Sequence, residues 1–161
     1  MHIASLAEIK RELKEQTNEE LIANCLRVAK FKKDNKELLN YLLFEAHDEE
    51  NFKQEVISEM SSMFAEVNLS SVYFAKKTIR KILRFVTKQI TYSGCKQTEV
   101  ELLINFCKGM RSLPLPFHES KVMINLYQRQ LLKISKVLST LDEDLQFDYK
   151  MDLNSIRQTL R

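Results

Sequence analysis

The most regular pattern in the chain lies in residues 70–92. The apolar residues there recur at intervals of three and four, so in a helix they share one side. They are Val72, Ala75, Ile79, Ile82, Leu83, Val86 and Ile90. Ser70 or Ser71 can cap the start, and Gly94 tolerates the left-handed conformation that often ends a helix. The pattern predicts one long amphipathic helix whose apolar stripe is buried by neighbouring helices.

Four helices are predicted before this one. Serine or threonine followed three residues later by glutamate forms a capping box, and Ser5 and Thr17 each begin such a pattern. Asp34 is expected to start the third helix, and its apolar run at residues 38–44 is nearly continuous, which predicts burial on most sides. Residues 48–51, three of which are acidic, suit the start of a fourth helix, which extends to about residue 67. Its predicted inward side chains are Phe52, Val56, Met60, Met63, Phe64 and Val67.

Further helices are predicted after Gly94. Thr98 and Glu101 form a third capping-box pattern, and the prolines at 114 and 116 stop the helix that follows. That helix has an apolar stripe of Val100, Leu103, Ile104 and Cys107. A helix over about residues 119–141 has Val122, Leu126, Tyr127, Ile134, Val137, Leu138 and Leu141 inward. A short helix from Asp152 to Leu160 closes a tail that we expect to be less ordered from about residue 143.

The low number of helix-breaking residues determines the fold class. Two glycines and two prolines in 161 residues are too few for the frequent turns of a sheet protein. We therefore predict one all-α domain over residues 1–161, built of antiparallel hairpins stacked as a short right-handed superhelix. An irregular helical bundle is the alternative. No apolar run approaches the roughly 18 residues of a membrane span, and three cysteines without a CxxC pair favour the reducing cytoplasm.

Charge is distributed unevenly along the chain. The net charge is −5 over residues 1–69, +10 over residues 70–136 and −2 over residues 137–161. The strongest candidate for binding an anion or a partner is the polar side of the long helix: Lys76, Lys77, Arg80, Lys81, Arg84 and Lys88. Phe74, Phe85 and Tyr92 flank these cations and could stack on bases, although packing against other helices is the simpler role.

The basic face has a second interpretation, which we favour at this point. The helix over residues 49–67 carries Glu55, Glu59 and Glu66 along its edge. Charge runs on helices are usually solvated, and these carboxylates could pair with the basic side of the next helix.

Little in the sequence indicates catalysis. His47, with Glu45, Asp48 and Glu49, is the best group of metal-ligating residues, but helical metal motifs pair two histidines and this stretch has one. No nucleophile motif is present, and two glycines cannot form a phosphate-binding loop. We expect no enzyme activity, no cofactor and no metal.

The sequence also resembles known proteins in two respects. Residues 30–46, KFKKDNKELLNYLLFEA, resemble a family of uncharacterised bacterial all-helical proteins, which implies no activity. The succession of hairpins from Thr17 to Leu141 is similar in layout to HEAT or armadillo repeats, but lacks their characteristic prolines and aspartates.

The sequence therefore predicts a noncatalytic module that binds or scaffolds a protein or peptide, since a small helical superhelix offers a groove. The alternative is nucleic-acid binding through the basic helix 70–92. A third possibility is an enzyme in the manner of helical-repeat DNA glycosylases, which would need a carboxylate and aromatics in a basic groove. We expect no membrane partner.

Overall fold

The computed structural model describes residues 2–157, and these residues contain eight α-helices and no strand. The helices are α1 (Leu6–Lys14), α2 (Asn18–Phe31), α3 (Lys33–Asn40), α4 (Glu49–Ala65), α5 (Val72–Ser93), α6 (Lys96–Ser112), α7 (Lys121–Leu138) and α8 (Glu143–Arg157). A π-helical turn occupies Tyr41–Glu45 and a 3-10 turn occupies Phe117–Glu119. The predicted all-α class is confirmed, while the HEAT-like stacking stays a prediction. None of the helices in this part of the chain is long and apolar enough to cross a membrane.

The chain divides into two compact units, Met1–Phe44 and Glu45–Arg161. In the first unit both predicted capping boxes are formed. The Ser5 and Thr17 amides each donate to the glutamate three residues later at 2.8 Å, and each hydroxyl accepts from that glutamate's amide at 3.3 Å. α2 packs against α3, and a single residue, Lys32, separates them.

The prediction for the third helix is wrong in two respects. α3 begins at Lys33 instead of Asp34, and no side chain caps it. Its apolar run is not buried on most sides, because Leu42, Leu43 and Phe44 are all exposed and only Tyr41 is buried. A continuous apolar run shows that a segment can be buried, but not that its own unit supplies the covering surface.

The second unit is built around α6. This helix packs against α4, α5, α7 and α8, so it has neighbours on most of its circumference. Its buried apolar side chains are Val100, Leu102, Leu103, Ile104, Phe106, Cys107 and Met110. The predicted capping box at Thr98 is wrong, because α6 already begins at Lys96 and Thr98 is buried inside it.

The long helix α5 closely follows its prediction. Ser71 caps its start by accepting from the Phe74 amide, and Gly94 ends it at φ 65°. Ala75, Ile79, Ile82 and Val86 are fully buried, and Ile90 is nearly so. Val72 and Leu83 are only half-buried, since they lie at the edge of the stripe.

α7 and α8 differ from the prediction in detail. Met123, Tyr127 and Ile134 lie on the buried line of α7, whereas Val122, about 100° away around the helix, is exposed. α8 begins nine residues before the expected Asp152, and its Leu153 and Ile156 are buried. The end of the predicted tail helix, residues 158–160, lies outside the described residues.

Candidate functional site

The six basic residues singled out in the sequence all lie on α5. Four of them, Lys77, Arg80, Lys81 and Arg84, are exposed, and we call these four the basic stripe. Lys76 and Lys88 are half-buried beside it. The stripe lies on the side of α5 opposite the buried Ile79 and Val86, because positions 77, 81 and 84 are about half a turn away from them. α5 thus places the charges outward by burying its apolar side.

The basic stripe does not pair with the acidic edge of α4. Within residues 2–157, none of its four side chains forms an ion pair. Glu55, Glu59 and Glu66 on α4 are exposed and do not form ion pairs with it either. The favoured interpretation from the sequence, a solvated basic side that pairs with this acidic edge, is therefore wrong about the pairing and agrees with the structure about the exposure. Both faces present their charges to solvent.

A shallow groove runs along the same helix. It has a volume of about 540 Å³ and is lined by Arg80, Leu83, Arg84, Thr87, Lys88 and Thr91. Each of these positions is three or four residues from another one in the set, so they form one continuous line on the helix. The half-buried Leu83 gives the groove an apolar floor beside two guanidinium groups. Such a surface can hold a carboxylate and the aliphatic part of the same residue together.

Two aromatic side chains extend the basic surface at the start of α5. Tyr73 is 73% exposed and Phe74 is 54% exposed, with ring centroids 5.4 Å apart in a T-shaped arrangement. The Lys76 ammonium lies 5.6 Å from the Tyr73 ring centroid, within range of a cation–π contact. Of the three aromatics considered from the sequence, only Phe74 is exposed; Phe85 is half-buried and Tyr92 is buried.

Tyr73 was not predicted to belong to this surface, although the sequence contains a signal for it. Tyr73 precedes Lys77 by four residues and Arg80 by seven, which puts it on their side of the helix.

A cluster of polar side chains inside the second unit was also missed. The Lys53 side chain is 9% exposed, and its ammonium lies 2.5 Å from both the Glu50 and Glu101 carboxylates. The Tyr149 hydroxyl of α8 donates to Glu101, and the Gln97 amide donates to Glu101 at 3.2 Å. The cluster therefore connects α4, α6 and α8. The sequence signal for this cluster is Lys53, a lysine directly after Phe52, which belongs to the inward-facing apolar residues of α4.

The polar cluster is electrostatically satisfied. Burial opposes the charged form of Lys53, but hydrogen bonds to Glu101 and Glu50 outweigh it and raise the pKa of the ammonium above its ordinary value. Burial, together with the hydrogen bond to Glu101, raises the pKa of Tyr149 to about 12. In the described part of the chain, every buried side-chain nitrogen and oxygen has a hydrogen-bond partner. This saturation fits a structural role in joining three helices.

The acidic residues near His47 have other roles. The Asp48 carboxylate accepts from the Asn51 amide at 3.0 Å and caps α4. Glu49 accepts hydrogen bonds from the hydroxyls of Ser93 and Thr98. Among residues 2–157, no group of three or more histidine, cysteine or acidic side chains is arranged to hold a metal ion.

The cysteines occupy three different environments. Cys107 is buried in α6, and burial raises the pKa of its thiol to about 12. Cys95 lies just before α6 and is partly exposed. Cys25 is exposed on α2.

Comparison of this chain with protein-family models, with curated proteins and with solved structures finds no match.

Proposed function

We propose that this protein is a noncatalytic binding module whose basic stripe holds an acidic segment of a partner protein. The observation that carries the proposal is a set of four exposed cations on one side of α5 that form no ion pair with any residue from 2 to 157. Lys77, Arg80, Lys81 and Arg84 are spaced at i, i+3, i+4 and i+7. A helical segment with glutamates at the same spacing would present a matching row of carboxylates.

The neighbouring charges favour a short acidic segment over a long polyanion. Residues 45–69, which include α4, contain seven carboxylates and one lysine. α4 packs directly against α5, and its exposed Glu55, Glu59 and Glu66 would repel the phosphates of a nucleic acid extending past the stripe. From Lys77 to Arg84 the stripe spans only about 10 Å of helix axis. A compact partner segment can use the stripe and avoid the acidic helix.

Nucleic-acid binding is a second candidate because of the exposed Tyr73 and Phe74. Aromatic rings next to cations can stack on unpaired bases, so single strands would be the preferred form. Nucleic-acid binding would use the same basic stripe, and it requires the acidic edge of α4 to lie away from the bound nucleic acid.

The proposal includes a cytoplasmic location, no enzymatic activity and no cofactor. It is supported by the scarcity of catalytic motifs in the sequence and by the saturated hydrogen bonding of the most buried polar cluster.

Fluorescence anisotropy with two kinds of labelled probe tests the proposal. One probe is a 20-residue helical peptide with glutamates at i, i+3, i+4 and i+7, and the other is a 20-nucleotide single strand. Replacing Arg80 and Arg84 with glutamine should weaken peptide binding by about 2- to 30-fold, since each exposed ion pair contributes roughly 0.2–1 kcal/mol. A matched double replacement on α7, Arg129→Gln with Lys136→Gln, removes two exposed cations elsewhere and should change the affinity little.

The outcomes separate the candidates. Peptide binding that is unaffected by Arg80→Gln and Arg84→Gln would contradict the assignment of the stripe. Tighter binding of the single strand, lost when Tyr73 and Phe74 are replaced by alanine, would favour the second candidate. If the single strand is the ligand, replacing Arg80 and Arg84 with glutamine should also make the plot of log affinity against log salt concentration shallower, by about 0.7 in slope for each lost phosphate contact.

A further inference from the structure

The helices of the first unit leave most of their apolar side chains exposed. None of the residues in α1, α2 or α3 is buried. Its exposed large apolar side chains are Ile3, Leu6, Ile9, Leu13, Ile22, Leu26, Val28, Phe31, Leu38, Leu42, Leu43 and Phe44. Exposed apolar surface on this scale usually marks an interaction site.

The amount of apolar surface is close to what a stable interface needs. The four exposed side chains of α2 and the three of the π-helical turn have exposures between 50% and 77%. Aromatic side chains bury about 150–250 Å² each and aliphatic ones less, so these seven side chains expose at most about 800 Å². A standard interface buries about 800 Å² on each partner, while the largest apolar patch of a typical monomer is about 300–600 Å². The hairpin alone can therefore support an interface of standard size.

The residues of α2 indicate which partner fits. Cys25 lies at the middle of the helix and is exposed. Positions at equal distances on either side of it match in character: Ile22 with Val28, and Leu21 with Ala29. Two antiparallel copies of such a helix, related by a twofold axis near Cys25, would place these apolar residues opposite one another.

The charges of α2 favour the same antiparallel arrangement. Its first turn contains Glu19 and Glu20, and its second half contains Arg27 and Lys30. An antiparallel pair puts the acidic start of one helix beside the basic end of the other, and it also opposes the two helix dipoles favourably. A parallel pair would bring like charges together at both ends. Residues 1–44 have a net charge of only +1, so two copies repel each other little.

We propose that the first unit is a homodimerisation element in which α2 packs antiparallel against α2 of a second copy, with Cys25 next to the twofold axis. The interface is isologous, so each copy contributes the same apolar side chains. Dimerisation covers Ile22 and Val28. This inference uses different residues from the proposed function and can fail without it.

Mass and crosslinking measurements on the full chain test this proposal. Light scattering after size exclusion, at tens of micromolar protein, should give about twice the chain mass of 19.0 kDa. Bismaleimidoethane, a short thiol crosslinker, should join two chains through Cys25. Cys25→Ser should abolish the crosslink, whereas Cys95→Ser should retain it.

Substitutions at the apolar surface provide the second arm. Ile22→Asp together with Val28→Asp should convert the dimer to a monomer without loss of helical circular dichroism. Leu132→Asp is the matched control, because Leu132 is 72% exposed on α7 in the second unit, and it should leave the dimer intact.

A wild-type chain that is monomeric under these conditions would overturn the proposal. So would a dimer that resists Ile22→Asp with Val28→Asp. If the monomer instead sediments with vesicles of phosphatidylcholine and phosphatidylserine, a lipid surface covers these helices and the dimer assignment is wrong.

Discussion

Gly109 offers a sharp test of the packing between α4 and α6. A Cβ atom added at Gly109 would lie 2.4 Å from Cε2 and 2.7 Å from Cδ2 of the Phe64 ring. Phe64 is 8% exposed, and its ring packs against that of Phe106 with centroids 5.8 Å apart and planes tilted by 44°. The ring must therefore move if alanine replaces glycine. We infer that glycine is present at this position to let α4 approach α6.

Two opposing effects determine the stability of Gly109→Ala. Alanine in a helix interior is favoured over glycine by about 0.8–1.0 kcal/mol. Overpacking a core position typically costs about 1–3 kcal/mol. The difference predicts a net loss of roughly 1 kcal/mol in the free energy of unfolding. In a background with Phe64→Ala, the contacting ring atoms are gone, and the same Gly109→Ala change should stabilise the protein by up to about 1 kcal/mol.

Urea unfolding of the four proteins in this cycle measures the coupling between the two positions. The expected result is a change of sign, from destabilising in the wild type to stabilising in the Phe64→Ala background. If Gly109→Ala stabilises both backgrounds equally, the ring moves aside without cost. The argument for close approach of the two helices would then be refuted.

Three further predictions concern the second unit. Ile82→Ala should lower the free energy of unfolding by about 2–5 kcal/mol, because Ile82 is 0% exposed. Leu83 is only half-buried, so Leu83→Ala should lower it clearly less. Equal losses in urea unfolding would contradict the assigned edge of the apolar stripe. Lys53→Met should lower the free energy of unfolding by about 3–5 kcal/mol, because it leaves Glu101 without its cation. Adding Glu101→Gln should recover most of that loss of stability. No recovery would show that the ion pair is not what stabilises this region. Tyr149 ionises near pH 12 in the folded chain and near pH 10 in the unfolded one, so its contribution to stability is complete below pH 10 and is lost as the pH rises from 10 to 12. Absorbance titration at 295 nm of the wild type and of Tyr149→Phe measures the ionisation of Tyr149. Ionisation near pH 10 would contradict the raised pKa.

The features that could be predicted from sequence are those decided locally. The helices start where Ser5, Thr17 and Ser71 cap them, because a capping side chain acts within three residues of its own position. α5 buries the predicted stripe because its apolar and basic residues are cleanly separated around the helix. The outward position of the basic stripe follows from the same separation. The lack of ion pairs between the basic stripe and α4 does not follow from that separation, because pairing depends on how α4 is rotated relative to α5.

The exposed hairpin of the first unit shows a second limit. Residues 38–44 are as apolar as many core helices, and the sequence predicted that they would be buried. Hydrophobicity indicates that burial would be favourable, but it does not say whether the same chain or another molecule covers the surface.

The failed capping box at Thr98 shows how distant contacts can overrule a local motif. Its residues, threonine followed by glutamate at the third position, match the box that forms at Thr17. At Thr98, however, the hydroxyl donates to Glu49 of α4, and Glu101 accepts from Lys53 and Tyr149. Both side chains of the motif thus form hydrogen bonds to α4 and α8, and α6 starts at Lys96, three residues before the start that a cap at Thr98 would give. A capping hydrogen bond contributes about 1 kcal/mol, whereas a buried carboxylate left without partners would cost several. The interior of the second unit therefore determines where α6 begins, and in the exposed first unit, without such competing partners, the same motif forms its local box.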